Sequence, residues 1–222
     1  MNTSAMTSAK HRVSLTTCAS IALCISVMAC NTDPAKGKTQ ATVASATEVV
    51  LAPAAGAVNY AFSQDGSKFE FTGAKVSAKH EGSFATFNGK IALVDNDPTK
   101  SSVSAEVDVA SLTVEPAKLN GHLKSPDFLD VAKFPKAKFT STAIKAGGDN
   151  GATHTVTGNL ELHGVTKSIT FPAKIKVEGE QVSVDAEFAI NRKDFAIIYP
   201  GMPDDLIKDE VLLKLTLHGK KG

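Results

Sequence analysis

The amino-acid sequence predicts an all-β fold, an antiparallel barrel of about eight strands with one short helical insertion near residues 116–131. Apolar and polar residues alternate in five runs, and turn-forming residues separate consecutive runs. Only one segment carries the residues that start a helix. Strands joined by short turns pair antiparallel, and closing the sheet into a barrel removes its exposed edges.

Five strands are predicted to have an apolar inner face and a polar outer face. In residues 181–190 every even position is apolar, and the first four odd positions are Gln, Ser, Asp and Glu. Turn signals at residues 95–98 (DNDP), 147–151 (GGDNG) and 178–180 (EGE) separate the runs. The same alternation occupies residues 103–109, 156–162, 169–177 and 211–217.

Three further strands are predicted over residues 68–72, 82–94 and 137–145, where the alternation is less regular. In the second of these runs the apolar residues switch between even and odd positions after Phe84, and in the third they switch after Phe139. Such a switch predicts a β-bulge in each strand. A two-sheet sandwich stays open as an alternative. An outer-membrane barrel is disfavoured, because it needs an apolar outer face and aromatic girdles, whereas this chain has no Trp and two Tyr.

One segment carries the capping and first-turn residues that are typical of the start of a helix. Ser125 is a good N-cap residue, Pro126 suits the first helical position, and Asp127 places a negative charge in the first turn. We therefore expect a short helix to begin at Ser125. Its position between strands favours a lid or plug on the barrel, because no other helical segment is available to cover a parallel sheet.

Residues 1–29 are predicted to be a signal peptide, because a basic start at Lys10 and Arg12 precedes an apolar segment without acidic residues. Residues 27–30 (VMAC) resemble a bacterial lipobox, in which Cys30 receives the lipid and becomes the first mature residue. The alternative is ordinary cleavage before Cys30, which leaves its thiol free. The sequence thus predicts export, and lipidation of Cys30 as the favoured outcome.

Cysteine use favours the lipoprotein interpretation. The other two of the three cysteines lie within the predicted signal peptide, so the mature chain cannot form an intrachain disulfide. A lone exposed thiol would be a liability in an oxidising compartment. Asn31, rather than Asp, at the second mature position favours the outer membrane. The predicted location is the periplasm, with a lipid anchor on Cys30 in the outer membrane.

The mature chain is predicted to contain a tether and one domain. Residues 30–56 lack periodic apolar spacing and are predicted to be the lipidated cysteine with a flexible tether, and residues 57–222 form the barrel domain. Without the signal peptide the 24 basic residues fall to 22 against 23 acidic ones, a formal charge of −1. Because the charges are interspersed, nucleic acid is not expected as a partner. A homodimer stays open.

The inner face of the predicted barrel carries no catalytic chemistry. The five regular strands place no carboxylate, Lys, Cys or His on that face within the alternating runs. The sequence has no Gly-x-Ser-x-Gly elbow, phosphate-binding loop or Cys-x-x-Cys pair, and the histidines outside the signal peptide do not have metal-ligand spacing. We therefore expect no metal, no cofactor and no enzymatic activity.

Six pieces of sequence follow one another along nearly the whole predicted domain. They are residues 80–89 (HEGSFATFNG), 122–130 (HLKSPDFLD), 134–135 (FP) with Phe139, 156–167 (VTGNLELHGVTK), 191–195 (NRKDF) and 207–211 (IKDEV). With these pieces in this order, the chain from about Val58 to His218 resembles the YceI-like polyisoprenoid-binding family of bacterial secreted proteins. It departs from the family pattern at Leu129, where a second aromatic residue is usual, and at Ala196, where Gly is usual, and both changes bear on the size of the ligand.

The resemblance implies a lipocalin-like barrel that holds a long isoprenoid, or a similar quinone-like lipid, in its lumen as a carrier or sequestering protein. Small inner residues such as Ala105 and Gly158 leave space for a ligand, but bulky neighbours such as Phe171 and Phe188 could instead fill the barrel. The predicted ligand contacts are the inward positions Val103, Ala105, Val107, Val156, Gly158, Leu160, Leu162, Ile169, Phe171, Ala173, Val184, Ala186, Phe188, Ile190, Leu213 and Leu215.

At the barrel mouth, Arg192 and His122 are predicted to meet an anionic head group. An ion pair between Arg192 and Asp194 that shapes the turn is the competing interpretation of this arginine. Two other functions stay open. An enzyme acting on an isoprenoid would use His122, Asp127, Arg192 and Asp194, and a protein-binding scaffold with a solid barrel would use the loop of residues 199–203 (YPGMP).

Overall fold

The structure is a computed structural model that describes Met1, residues 33–48 and residues 56–222. The described residues from 33 onward form one compact unit. Apart from Met1, the predicted signal peptide lies outside the described residues, as does Cys30, so both assignments stay predictions. Within the described ranges, no helix has the length and hydropathy needed to cross a bilayer.

Strands dominate the described residues. One α-helix, α1 (Ala117–Lys124), follows the seventh strand, and short 3-10 turns occupy Val109–Ser111 and Arg192–Phe195. The strands are β1 (Thr42–Ser45), β2 (Val58–Ser63), β3 (Lys68–Ala74), β4 (Lys79–Phe84), β5 (Phe87–Val94), β6 (Asp97–Asp108), β7 (Leu112–Val114), β8 (Lys136–Ala146), β9 (His154–Leu162), β10 (Val165–Glu178), β11 (Gln181–Asn191), β12 (Gly201–Met202), β13 (Asp205–Leu206) and β14 (Glu210–Lys221).

Eight strands close into an antiparallel barrel, which confirms the predicted architecture. The ring runs β10, β9, β8, β6, β5, β2, β14 and β11, and β11 pairs with β10 to complete it. At one end the wall continues beyond the ring, where β3 pairs with β14 and β4, and β4 pairs with β7. Helix α1 follows β7, so the helical insertion lies at this extended end.

The alternation in the sequence correctly predicts which side chains point inward. On β11 the even positions from Val182 to Ile190 are buried, whereas Gln181, Asp185 and Glu187 are exposed. Aromatic rings fill the barrel away from the extended end: the rings of Phe171 and Phe188 stack 4.1 Å apart. Close ring packing of this kind leaves no space for a ligand at the level of these two rings.

The two expected irregularities take different forms. Between β8 and β9 the register shifts between Ser141 and Ala143, which confirms the predicted bulge. After Phe84 the strand breaks, and the chain resumes as β5 at Phe87 with β2 instead of β3 as its partner. At this position the switch of the apolar residues from even to odd positions reflects a change of partner strand and not a bulge.

The prediction that a helix begins at Ser125 is wrong, because Ser125 ends helix α1. Its N–H and its hydroxyl both donate to the carbonyl of His122, at 3.1 and 2.8 Å. Its hydroxyl also accepts from the N–H of Asp127 at 3.3 Å, but the turn ends at Asp130, which has a φ of 42°. The same capping residues that start a helix thus form an isolated turn here.

Residues 33–48 differ from the predicted flexible tether, because they are docked on the barrel. Strands β10 and β11 pair only near their hairpin, and β1 pairs with the remaining edge of β10. The N–H of Ala41 donates to the carbonyl of Ala189 at 2.8 Å, and the N–H of Ala189 donates to the carbonyl of Thr39 at 2.8 Å. Residues 39–45, which we call the seam segment, therefore fill the gap between β10 and β11. Their alternation is too short to stand out in the sequence.

Removal of the seam segment is expected to destabilise the barrel. Ala41 is buried and Val43 packs against the core, so a chain of residues 56–222 should lose on the order of 2–4 kcal/mol of unfolding free energy relative to residues 33–222. This loss corresponds to a melting temperature lower by roughly 5–15 °C, measurable by circular dichroism.

A matched pair of substitutions separates packing from chain length in this prediction. Ala41→Asp places a carboxylate at a buried position and should destabilise the chain as strongly as the deletion. Ala44→Asp changes an exposed position of the same seam segment and should have little effect. Equal melting temperatures for the long and short chains would contradict a stabilising role of the seam segment.

Candidate ligand cavity

An apolar cavity of about 580 Å³ opens at the extended end of the barrel. Its walls come from the inner faces of the ring strands, from β3, β4 and β7, from helix α1 and from the segment between β11 and β14. The volume lies within the range of about 300–1,000 Å³ that is usual for ligand sites. Its apolar wall includes Phe69, Phe71, Phe84, Val107, Leu160, Leu162, Ile190, Val211 and Leu213.

The distribution of small residues explains why one end is open and the other is filled. Gly73 lines the cavity on β3, and a Cβ added there would meet no atom within 4 Å. By contrast, a Cβ at Gly158 would lie 2.4 Å from the ring of Phe139, which covers that glycine from the neighbouring strand. The solid-barrel alternative is therefore wrong for the extended end, whereas side chains fill the barrel at the level of Phe139, Phe171 and Phe188.

Five of the sixteen predicted ligand contacts line this cavity, and the others point inward at different heights of the barrel. Alternation along a strand gives the direction of a side chain but not its height in the barrel. The contacts that line the cavity are Val107, Leu160, Leu162, Ile190 and Leu213. Those that do not line it are Val103, Ala105, Val156, Gly158, Ile169, Phe171, Ala173, Val184, Ala186, Phe188 and Leu215.

Sequence reasoning missed the part of the wall that the helix and the loops supply. Leu119 and Leu123 of α1 line the cavity, and their spacing of four residues on a helix is the signal that would have identified them. Ile197, Met202 and Ile207, from the segment between β11 and β14, also line it. No local pattern marks these three residues, because they reach the cavity only through the closure of the barrel.

His122 lies in an aromatic cluster at the cavity wall, in the region predicted for it. Its ring centroid is 4.9 Å from that of Phe128 and 5.1 Å from that of Tyr199, and both contacts are edge-to-face. Its Nε2 is 3.4 Å from a carboxylate oxygen of Asp127. The imidazole therefore combines an apolar contact surface with one polar partner, whereas its contact with a head group stays a prediction.

Arg192 also borders the cavity, but its guanidinium is held by the protein. Nε donates to the carbonyl of Lys208 at 3.1 Å, Nη1 to that of Ile197 at 2.7 Å, and Nη2 to the carboxylate of Asp209 at 3.2 Å. The ion pair thus forms with Asp209, and the pairing with Asp194 considered above is wrong. Burial lowers the pKa of Arg192, and Asp209 opposes this shift.

A polar link joins two loops beside the cavity. The ammonium of Lys75 lies 2.5 Å from the carboxylate of Asp205, and Ser77 donates its hydroxyl and its N–H to the same carboxylate at 2.8 and 3.0 Å. The Lys75 contact, followed by those of Ser77, lowers the pKa of Asp205 to about 2. Asp205 is therefore ionised at neutral pH, and the loop of residues 75–78 stays joined to strand β13.

Metal-ligating side chains are dispersed in the described part of the chain. Within residues 33–48 and 56–222, no three His, Cys, Asp or Glu side chains are grouped so that they could hold a metal ion. Within the same ranges, the polar side chains that line the cavity are three lysines, two histidines, Tyr199, Arg192 and Asp205. The arrangement is suited to enclosing an apolar molecule with a polar group at one end.

Comparison with known proteins agrees with the fold and with the resemblance. Residues 60–218 match the family model of the YceI-like domain. A UPF0312 protein of Pseudomonas putida (strain W619) is 37% identical over 194 residues, which cover 83% of this chain and 97% of that protein. A UPF0312 protein of Pseudomonas fluorescens (strain SBW25) is 34% identical over 194 residues, with the same coverage.

Two solved structures share the barrel. BcnA of Burkholderia cenocepacia matches with a TM-score of 0.61 and 24% identity, over 70% of this chain and 97% of that chain. A polyisoprenoid binding domain from Saccharophagus degradans, implicated in plant cell wall breakdown, matches with a TM-score of 0.58 and 14% identity, over 75% and 99% of the chains. At these sequence identities the two solved structures establish only the fold, whereas the family model and the Pseudomonas relatives establish membership of the family. The chain belongs to the YceI-like domain family.

Proposed function

We propose that the protein binds a long-chain isoprenoid, or a similar quinone-like lipid, in the cavity and acts as a carrier or sequestering protein without catalysis. The observation that carries this proposal is the apolar cavity of about 580 Å³ at the extended end of the barrel. Burial of hydrocarbon in such a cavity is favoured by about 0.8 kcal/mol for each methylene group. The name of the Saccharophagus degradans domain, polyisoprenoid binding, supports the ligand class.

The cavity volume sets the length of chain that the protein encloses. An apolar cavity of about 150 Å³ holds benzene, which gives about 25 Å³ for each carbon. On this scale 580 Å³ accommodates on the order of 20 carbons, or about four isoprene units. A longer chain would extend through the mouth toward the solvent. The proposal therefore favours a ligand whose polar end lies at the mouth beside His122 and the neighbouring lysines.

The proposal places this activity in the cell envelope. The sequence of residues 1–29 supports export, and the lipobox-like sequence before Cys30 supports a lipid anchor in the outer membrane. A tethered carrier with its cavity in the periplasm would hold a lipid that is insoluble in water. The cavity requires neither a cofactor nor a metal for this role.

Native mass spectrometry of the chain from Asp33 to Gly222 tests the proposal. The protein is exported with a cleavable signal peptide and purified from a bacterial periplasm without detergent, and the bound lipid is identified after solvent extraction. We expect one isoprenoid or quinone-like molecule per chain. A ligand-free mass that is also unchanged by added geranylgeraniol would overturn the proposal.

A further inference from the structure

We propose that the rim of the cavity docks onto the surface of an anionic phospholipid bilayer, so that the ligand passes between the bilayer and the cavity. This inference rests on the proposed function, because it describes how an insoluble ligand reaches the cavity. The docking surface, which we call the rim patch, comprises Val76, Ile198, Met202 and Leu206.

The rim patch collects most of the large apolar side chains that the described residues expose. Beyond Met1, five such side chains are exposed in residues 33–48 and 56–222, and four of them form the rim patch. Their exposed fractions are 53% for Val76, 69% for Ile198, 63% for Met202 and 49% for Leu206. A grouped apolar surface of this kind marks an interaction site rather than random exposure.

Hydrogen bonds join Val76, Leu206 and the β12–β13 hairpin of the rim patch, and Ile198 lies between the cavity-lining residues Ile197 and Tyr199. The N–H of Val76 donates to the carbonyl of Leu206 at 3.0 Å, and β12 pairs with β13 so that Gly201 lies opposite Leu206. Met202 both belongs to the patch and lines the cavity. A lipid chain that leaves the cavity past Met202 therefore meets apolar side chains before it meets water.

The charges at the mouth fit an anionic bilayer. Lys118 and Lys208 line the cavity, and their ammonium groups form no ion pair with any carboxylate in the described part of the chain. Lys75 is neutralised by Asp205, and the exposed Asp204 contributes one negative charge at the hairpin turn. Lysines without an ion-pair partner beside an apolar patch match the phosphate and acyl layers of an anionic bilayer.

Vesicle flotation with the chain from Asp33 to Gly222, which lacks Cys30, tests the docking without any lipid anchor. We expect binding to vesicles of phosphatidylglycerol and weaker binding to vesicles of phosphatidylcholine. The triple variant Val76→Ser/Ile198→Ser/Leu206→Ser should bind phosphatidylglycerol vesicles at least about tenfold more weakly, because each change removes apolar area from the interface. Val58→Ser, at the exposed apolar position outside the rim patch, should bind like the unmodified chain.

A second pair of variants examines the charge contribution. Lys118→Glu/Lys208→Glu should weaken binding to phosphatidylglycerol vesicles by about fivefold or more for each lysine at low salt. Lys90→Glu changes an exposed lysine on β5 away from the cavity and should leave binding unchanged. If the unmodified chain does not float with vesicles, or if the triple variant floats as well as it does, the docking proposal is overturned.

Delivery of geranylgeraniol from cyclodextrin distinguishes this failure from failure of the proposed function. The three residues changed in the triple variant do not line the cavity, so this variant should take up the alcohol from cyclodextrin at the normal level. Its uptake from phosphatidylglycerol vesicles should be slower by at least about tenfold. Lack of uptake from cyclodextrin by the unmodified chain would overturn the proposed function. Vesicle flotation would in that case still test whether the rim patch binds a bilayer.

Discussion

Gly73→Phe is expected to abolish isoprenoid binding while the barrel stays folded. Gly73 lies on the inner face of β3, and a Cβ at this position points into open space within the cavity. A phenyl ring there would displace about six ligand carbons, each worth about 0.8 kcal/mol of burial, so affinity should fall by at least about 100-fold. Titration with geranylgeraniol, followed by native mass spectrometry, measures this loss.

The neighbouring position on the same strand supplies the control. Thr72 lies on the opposite face of β3, so Thr72→Phe adds the same ring outside the cavity and should leave binding unchanged. Both variants should melt within a few degrees of the unmodified chain, because Gly73 has space for a side chain and Thr72 is only partly buried. Full occupancy of Gly73→Phe by the ligand would show that the ligand binds somewhere other than the cavity.

The barrel was predictable because its determinants are local. A strand that buries one face alternates with a period of two, and the turns between strands are rich in Gly, Asn and Asp. Both signals can be recognised within about ten residues of the sequence. The inward direction of Phe188 and Ile190 on β11 follows from this period alone, and both are buried. Pairing and closure then follow from the order of the strands.

The cavity was less predictable, because its position depends on distant residues. Phe188 and Ile190 have the same direction, yet Ile190 lines the cavity whereas Phe188 packs against Phe171. The difference is one of height in the barrel, which is set by the register of every strand in the ring. The apparent space at Gly158 is likewise filled from another strand by Phe139.

Arg192 illustrates the same limit for a polar residue. Its place at the end of β11 was evident, because it follows the last apolar position of the alternating run. Its partner was not evident, because Asp209 is seventeen residues away and approaches only when the intervening segment folds back. Asp194 was the predicted partner because it is only two residues from Arg192. The segment between Arg192 and Asp209 has no regular alternation from which their contact could have been predicted.

Arg192→Met should therefore weaken the fold more than it weakens ligand binding. The substitution leaves the carbonyls of Ile197 and Lys208 without their donor and removes the buried partner of Asp209. Loss of one member of a buried ion pair costs about 3–5 kcal/mol, and we expect the lower end because Asp209 is one third exposed and keeps its contact with Lys193. Urea denaturation measures this difference in unfolding free energy.

Lys193→Met is the matched control, because Lys193 contacts the same carboxylate of Asp209 from the exposed side at 2.8 Å. Exposed ion pairs contribute about 1 kcal/mol or less, so this variant should stay close to the unmodified chain in stability. The relative affinities for geranylgeranyl phosphate and geranylgeraniol, measured on folded Arg192→Met, then separate the two roles of the arginine. An unchanged ratio is expected for a guanidinium held by the protein, whereas selective loss of phosphate binding with normal stability would assign Arg192 to the head group.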